Sequence, residues 1–344
     1  MKRITINTAF NKSEIFIGED WKNFRKYHPG NNTVIITDDN ILKLYGNYFN
    51  DCQVLSITPG EKSKTLVVIN ELAEKLLSLG IDRSGFILGI GGGVVCDIAG
   101  FLASVYMRGI GFGFVSTSLL SQVDASVGGK NGVNVGPVKN IIGNFNQPEF
   151  VLCDQSMLST LPDEEYFSGL AELIKTGFIR DSELISDIES NVDLIFKKDL
   201  AFLTKLVTRS VEIKASVVSK DEKEKGERMI LNFGHTFGHA IEANTGIRHG
   251  FAIAEGMMIA ADISVEIGIF QSSERERLYN LLNAFRLLKN RKISVENMKQ
   301  FLSQDKKKSG GTINFVMLEK TGKAIVKTFS IKELINYYSL INSR

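Results

Sequence analysis

Cysteine is scarce: Cys52, Cys96 and Cys153 are odd in number, far apart and without a Cys-x-x-Cys pair. A disulfide framework or zinc ribbon is therefore not expected, and a reducing cytoplasm fits. An excess of either charge is also lacking, with 41 basic side chains against 39 acidic ones, a net charge of +2. Nucleic acid is not expected as a main partner, because no basic surplus exists to neutralise a phosphate backbone. The opening MKRITINTAFNKSEIF has no apolar run of the kind a signal peptide carries, so none is expected. One stretch approaches membrane length: Phe86 to Met107 holds a single charge, Asp97. It also holds five glycines, four of them between Gly89 and Gly93. A strand, a glycine turn and a buried helix are expected there, and no membrane span.

What is present is enough for two domains: 344 residues, 43% of them hydrophobic. In the first half, β-rich runs at 34–38, 54–58, 86–90, 112–116 and 150–154 alternate with helical patterns at 40–49, 64–79 and 94–107. Such alternation predicts buried parallel strands with helices on both faces. After about residue 160 the pattern becomes helical, through 199–219, 229–244, 251–268 and 273–288, with a small hairpin over 312–318 and 324–328. The predicted fold class is α/β: a Rossmann-like nucleotide-binding domain over 1–158, then a mostly helical metal- and substrate-binding domain over 159–344.

Ile90-Gly91-Gly92-Gly93-Val94-Val95-Cys96-Asp97 follows an apolar strand and opens a helix. Glycines there let backbone N–H groups approach a pyrophosphate, and the helix dipole favours the anion. The run is not a full G-x-G-x-x-G, because Val94 stands at the third glycine position. A bare packing turn would look similar. A second turn, Pro59-Gly60-Glu61-Lys62-Ser63-Lys64, also follows a strand, with Glu61 suited to ribose hydroxyls and Lys64 to a phosphate. Asp38 and Asn40 stand at the carboxyl end of the first predicted strand.

Of four histidines, His235, His239 and His249 lie within fifteen residues, the first two spaced i, i+4 on one predicted helix. A lone helical histidine is usually structural, whereas this cluster points to a metal or acid–base site. Glu172, next to Lys175 in an apolar helix, and Glu242, three residues after His239, are alternative carboxylate ligands that spacing cannot separate. Arg108, Asp124, Lys130, Lys139, Asn140, Lys214, Arg228 and Lys307 recur in glycine-rich or apolar settings suited to a phosphate and a carboxylate. The run 220–228 reads as a solvated turn, Arg228 excepted.

The segments GGGVVCDIAGF, YMRGI, SLLSQVDASVGGKNGVN, KNIIGNFNQP, GLAELIKTG, RSVEIKASVVSKDEKEKGER, LNFGHTFGHAIE and DKK, in this order, resemble those of 3-dehydroquinate synthases over nearly the whole chain. The resemblance implies two domains with the active site between them, a retained NAD, a zinc or cobalt ion, and a homodimer in which Arg108 reaches the partner's active site. It implies Glu172, His235 and His249 as metal ligands, with His239 near the substrate phosphate. It assigns NAD to Asp38, Asn40, Glu61, Lys64, Gly92, Gly93, Val94, Asp97, Thr117, Ser118, Lys130, Lys139 and Thr160. It assigns the substrate, a small anionic sugar-acid phosphate, to Asp124, Lys130, Asn140, Lys175, Lys214, Arg228, Asn232, His239 and Lys307. Cys96, Ser116, Ser118, the 135–139 loop and Phe251 depart from the family pattern. The implied reaction converts 3-deoxy-D-arabino-heptulosonate 7-phosphate to 3-dehydroquinate and phosphate. The alternatives are another sugar-phosphate cyclase and a metal-dependent NAD polyol dehydrogenase of the same fold; Arg228 favours an acidic substrate.

Overall fold

The computed structural model describes residues 1–343 except 9, 10, 31, 137 and 310; the side chains of 304–309 also lie outside the description. The chain forms two compact units, Met1–Pro162 with Leu200–Lys223, and Asp163–Asp199 with Glu224–Arg344. The division expected at 158/159 thus differs in two ways. The first unit runs on to Pro162, and it takes in the Leu200–Lys220 helix. That helix is tied there by Thr204 Oγ1 donating to Gln155 Oε1 at 2.9 Å and by Lys214 donating to the Asp124 carbonyl at 2.6 Å.

The first unit is built on a seven-stranded sheet. Its strands are β1 (Lys2–Asn7), β2 (Lys12–Ile17), β3 (Thr33–Asp38), β4 (Gln53–Ile57), β5 (Phe86–Gly91) and β6 (Gly111–Ser116). A separate hairpin, β7 (Lys130–Val135) and β8 (Val138–Phe145), precedes β9 (Phe150–Cys153). The sheet order is β1-β2-β9-β6-β5-β3-β4, parallel throughout except for the β1–β2 pair. Both faces are covered, and Ile35, Leu88, Val115 and Leu152 have no exposed surface. Burial of each such side chain contributes roughly 1.5–3 kcal/mol. Phe86 and Phe150 stack within the same core, ring centroids 5.9 Å apart. From β3 the chain moves outward to β4, then returns to β5 on the other side and continues through β6 to β9. The strand order therefore reverses between β3 and β5, the place where open α/β sheets leave a crevice at their carboxyl edge.

The second unit is helical. Its long helices are Asp163–Arg180, His235–Thr245, His249–Glu266 and Ser272–Ala284. A hairpin of β10 (Thr312–Lys320) and β11 (Lys323–Ser330) leads into the Ile331–Asn342 helix, which a Ser330–Glu333 capping box opens. The helix expected over 229–244 is broken. Glu227–Asn232 is a 3-10 turn and Gly234 takes φ +82°, so the α-helix begins only at His235. A side chain is excluded at Gly234 on two grounds, its positive φ and a neighbouring Ile253 carbonyl that an added Cβ would meet at 2.9 Å.

Among the described residues no helix is long and apolar enough to cross a membrane. All three cysteines are free thiols, Cys96 and Cys153 fully buried.

Candidate functional site

At the carboxyl edge of the parallel sheet, the residues expected to hold a nucleotide sit on consecutive strand ends. Asp38 ends β3 and caps the next helix, accepting from the N–H groups of Asn40 (2.9 Å) and Ile41 (3.1 Å). Its carboxyl is raised above the usual range by burial. Beyond β5, Gly92 is the N-cap of the Gly93–Val105 helix and provides no side-chain cap, so the first-turn N–H groups stay available to an anion. Gly92 and Gly93 also pack closely: an added Cβ would lie 3.3 Å from Ser118 Oγ and 3.1 Å from the Ala125 Cβ. Val94 is half-buried in the first turn of the same helix. Thr117 N–H donates to the Gly91 carbonyl at 3.0 Å and locks the ends of β5 and β6 together. Ser118 exchanges hydrogen bonds with Ser121, and the Thr160 and Tyr45 hydroxyls meet at 2.6 Å.

Lys64 is the hub of this edge. It is 3% exposed and donates to Asp97 Oδ2 at 2.5 Å and, by a very short contact, to Asn140 Oδ1; Glu61 Oε1 lies 3.8 Å away. Burial pushes the Asp97 carboxyl up to about 6, against the pull of Lys64. Residues assigned by sequence to a cofactor (Glu61, Lys64, Asp97) and to a substrate (Asn140) thus form one hydrogen-bonded cluster. Asn134, a residue with no sequence signal of its own, completes it by donating to Glu61 Oε1 at 2.8 Å. Lys130 opens β7 and Lys139 lies on β8, both exposed. A single π-turn, Ser121–Ala125, presents Asp124, whose carboxylate accepts from Lys214 at 2.5 Å. Arg108 is exposed at a tight turn, with φ +69°.

In the helical unit, close helix crossings bring the metal-type donors together. An added Cβ at Gly250 would fall 1.9 Å from the Ser168 carbonyl oxygen, and one at Gly256 would fall 2.0 Å from that of Gly234. Only glycine permits these approaches. The Gly250 approach sets the start of the His249–Glu266 helix against the helix that carries Glu172. His249 Nε2 lies 3.5 Å and His235 Nε2 3.9 Å from the same oxygen, Glu172 Oε1. The other ring nitrogens face acceptors: His235 Nδ1 the Phe233 carbonyl at 3.3 Å, and His249 Nδ1 the Glu242 carboxylate at 3.2 Å. Each ring thus has an acceptor behind its Nδ1 edge and turns its Nε2 edge toward Glu172, the arrangement that orients a histidine for metal binding.

Glu172 is 1% exposed and is paired with Lys175, itself 2% exposed. Burial, then the Lys175 charge, holds His235 neutral well below the usual histidine range. Burial opposes protonation of His249 too, but Glu172 and Glu242 outweigh it and raise its pKa to about 9. Donor atoms of Glu172, His235 and His249 all lie within 4.8 Å of one another. One carboxylate and two histidines in a buried setting fit a divalent cation with coordination positions left open. His239, Glu242 and His249 form a second such trio, but it is the more exposed of the two and uses the His249 edge turned away from Glu172. Of the two carboxylates left open by spacing, Glu172 thus fits as ligand and Glu242 as the group behind His249.

The remaining candidates in this unit are also located. His239 is exposed, its ring edge-on to His235 with centroids 5.0 Å apart. Asn232 donates to Glu224 Oε1 at 2.7 Å, and Arg228 is buried at 1% exposure while its neighbours in 221–227 are not. Lys307 lies in the Val295–Ser309 helix, its side chain outside the described residues.

A parallel sheet with a glycine turn at its carboxyl edge, joined to a helical unit holding a carboxylate–histidine cluster, defines the dehydroquinate synthase-like class of α/β proteins. The family profile described as 3-dehydroquinate synthase N-terminal matches residues 54–168, and that described as 3-dehydroquinate synthase C-terminal matches 169–308. The 3-dehydroquinate synthase of Dictyoglomus thermophilum is 39% identical over 344 residues, covering 97% of both chains. That of Thermoanaerobacter pseudethanolicus is 42% identical over 323 residues, covering 90% of this chain and 91% of its own. Among solved structures, a 2-deoxy-scyllo-inosose synthase complexed with carbaglucose-6-phosphate, NAD+ and Co2+ is 26% identical, with a TM-score of 0.87 over 98% of this chain and 99% of its own. The chain belongs to the 3-dehydroquinate synthase family.

Proposed function

We propose that this protein converts 3-deoxy-D-arabino-heptulosonate 7-phosphate to 3-dehydroquinate and inorganic phosphate, as an NAD- and divalent-metal-dependent lyase of aromatic biosynthesis. Family membership carries the reading, and the buried cation Arg228 favours a substrate with a carboxylate over a sugar phosphate without one. When bound, NAD would supply a transient hydride acceptor and zinc or cobalt would acidify the hydroxyl to be oxidised, with no net redox change.

The residues of the chain do the rest. Glu172, His235 and His249 would hold the ion, with Lys175 paired to Glu172. Asp38, Asn40, Glu61, Lys64, Asp97, Thr117, Ser118, Lys139 and Thr160, with the N–H groups of Gly92 to Val94, would hold the nucleotide. Lys130, Lys214 and Arg228 would bind the substrate carboxylate; Asp124 holds Lys214 in place. Asn140, Asn232, His239 and Lys307 would bind the phosphate. Fixing both ends of a flexible seven-carbon chain lowers the entropic barrier to elimination and ring closure. A homodimer, in which the partner subunit's Arg108 joins the phosphate site, and a cytoplasmic location complete the proposal.

The test is substrate preference. With NAD and zinc, kcat/KM for the heptulosonate phosphate should exceed that for a hexose 6-phosphate by at least about a hundredfold, the scale of one buried charge-assisted contact. Equal or reversed preference would instead make the protein another cyclase of this fold.

A further inference from the structure

Asn134 touches none of the groups proposed to react, yet it bonds to both functional segments of the first unit. It lies on β7 where the register with β8 slips between Val133 and Val135, so its backbone is released from the hairpin ladder. Its N–H donates instead to the Lys64 carbonyl at 2.8 Å, in a bridge that pairs it with Thr65. Its side chain is used at both ends. Nδ2 donates to Glu61 Oε1 at 2.8 Å, and Oδ1 accepts from the Asn140 N–H at 2.9 Å. The second bond holds Asn140 in a left-handed conformation, φ +52°, which is uncommon for a residue with a side chain. Lys64 then engages Asn140 Oδ1 and fixes the amide orientation, so that Asn140 Nδ2 is the end left to donate.

We infer that Asn134 is a positioning residue that couples nucleotide binding on the Glu61–Lys64 turn to phosphate binding by Asn140 on the β7–β8 hairpin. This rests on the proposed roles of Glu61 and Asn140. An amide is needed because one end must donate to a carboxylate while the other accepts from a backbone N–H. Aspartate would lose the donor and set a second carboxylate against Glu61. Alanine would lose both bonds and free the turn and the hairpin to move apart. Ordering one segment with its ligand orders the other through this side chain, so each ligand should bind more tightly in the presence of the other.

The experiment titrates NAD, and separately inorganic phosphate, into the zinc-loaded protein and its variants. Asn134→Ala should raise both Kd values roughly tenfold, the scale of coupled neighbours. In the Glu61→Ala background it should weaken NAD by less than about threefold further, and likewise for phosphate in the Asn140→Ala background. A structural defect alone would multiply the losses in full, and that outcome overturns the inference. Unchanged Kd values for Asn134→Ala, beside weakened ones for Glu61→Ala and Asn140→Ala, overturn it while leaving their assigned roles intact. If those two controls bind normally, the assigned roles themselves fail and the coupling falls with them. Should Asn134→Ala not fold, Asn134→Asp serves: combined with Glu61→Gln it should bind NAD as Glu61→Gln alone does, and a further loss contradicts the coupling.

Discussion

Glu242 and His249 meet through a 3.2 Å contact between Oε2 and Nδ1, on the ring edge opposite the one that faces Glu172. The pair fits the proposed division of roles, because a carboxylate behind a histidine orients the ring and makes its other nitrogen a better ligand. Removing such a group typically costs 10- to 100-fold in metal affinity. Glu242→Ala is therefore expected to weaken zinc by about that factor in competition with a chromophoric chelator. Glu242→Gln, which keeps an acceptor oxygen, should recover part of it. Unchanged zinc affinity in the alanine variant would remove Glu242 from the site.

The Glu172–Lys175 pair is nearly inaccessible to solvent, so either charge left alone becomes costly. Lys175→Ala and Glu172→Ala should each lower stability by about 3–5 kcal/mol in denaturant melts. The double replacement Glu172→Leu with Lys175→Met should cost much less than the sum, since no buried charge remains. Additive losses would show that the two charges do not depend on each other.

Asp97 sets a pH dependence whose sign can be worked out. Its carboxyl is raised from 3.8 to about 6 by burial. Its contribution to stability is therefore full below about pH 4 and is lost as pH rises through about 6, while the unfolded chain ionises first. The loss amounts to about 3 kcal/mol at most. Relative to the wild type, Asp97→Asn should gain by roughly that amount between about pH 4 and pH 7, whatever offset the lost Lys64 contact adds. A difference that stays flat with pH would contradict the raised value.

Arg228 is expected to act on binding more than on turnover. Arg228→Ala should raise KM for the acidic substrate by about 10- to 100-fold, the loss of a charge-assisted contact, with a smaller change in kcat. Steady-state kinetics with and without a carboxylate on the substrate would check it. An unchanged KM would place the carboxylate elsewhere.

The sequence was legible where burial imposes a pattern. The strands near 34–38, 86–90, 112–116 and 150–153 are buried almost throughout, as a covered parallel sheet requires, whereas the edge strand near 54–57 is only half-buried. The β7–β8 hairpin was not foreseen, because Lys130–Val135 is polar and glycine-containing and Val138–Phe145 is exposed, so neither shows the alternation of a half-buried strand. Likewise Asn232 to His239 looked like one helix, since the backbone reversal at Gly234 has no periodic signature. The histidine cluster was visible as a clustering of a rare residue. Its partner carboxylate was not separable, because the crossing at Gly250 that brings Glu172 to the histidines joins segments far apart in the chain. Asn134 carried no signal at all, as its importance lies in two hydrogen bonds and not in its type.

The most direct measurement follows inorganic phosphate, cyclic product and NADH absorbance together, after mixing the protein, NAD and zinc with 3-deoxy-D-arabino-heptulosonate 7-phosphate. The account predicts equal amounts of phosphate and 3-dehydroquinate with no net NADH. Accumulating NADH without phosphate release would contradict it and point to a dehydrogenase.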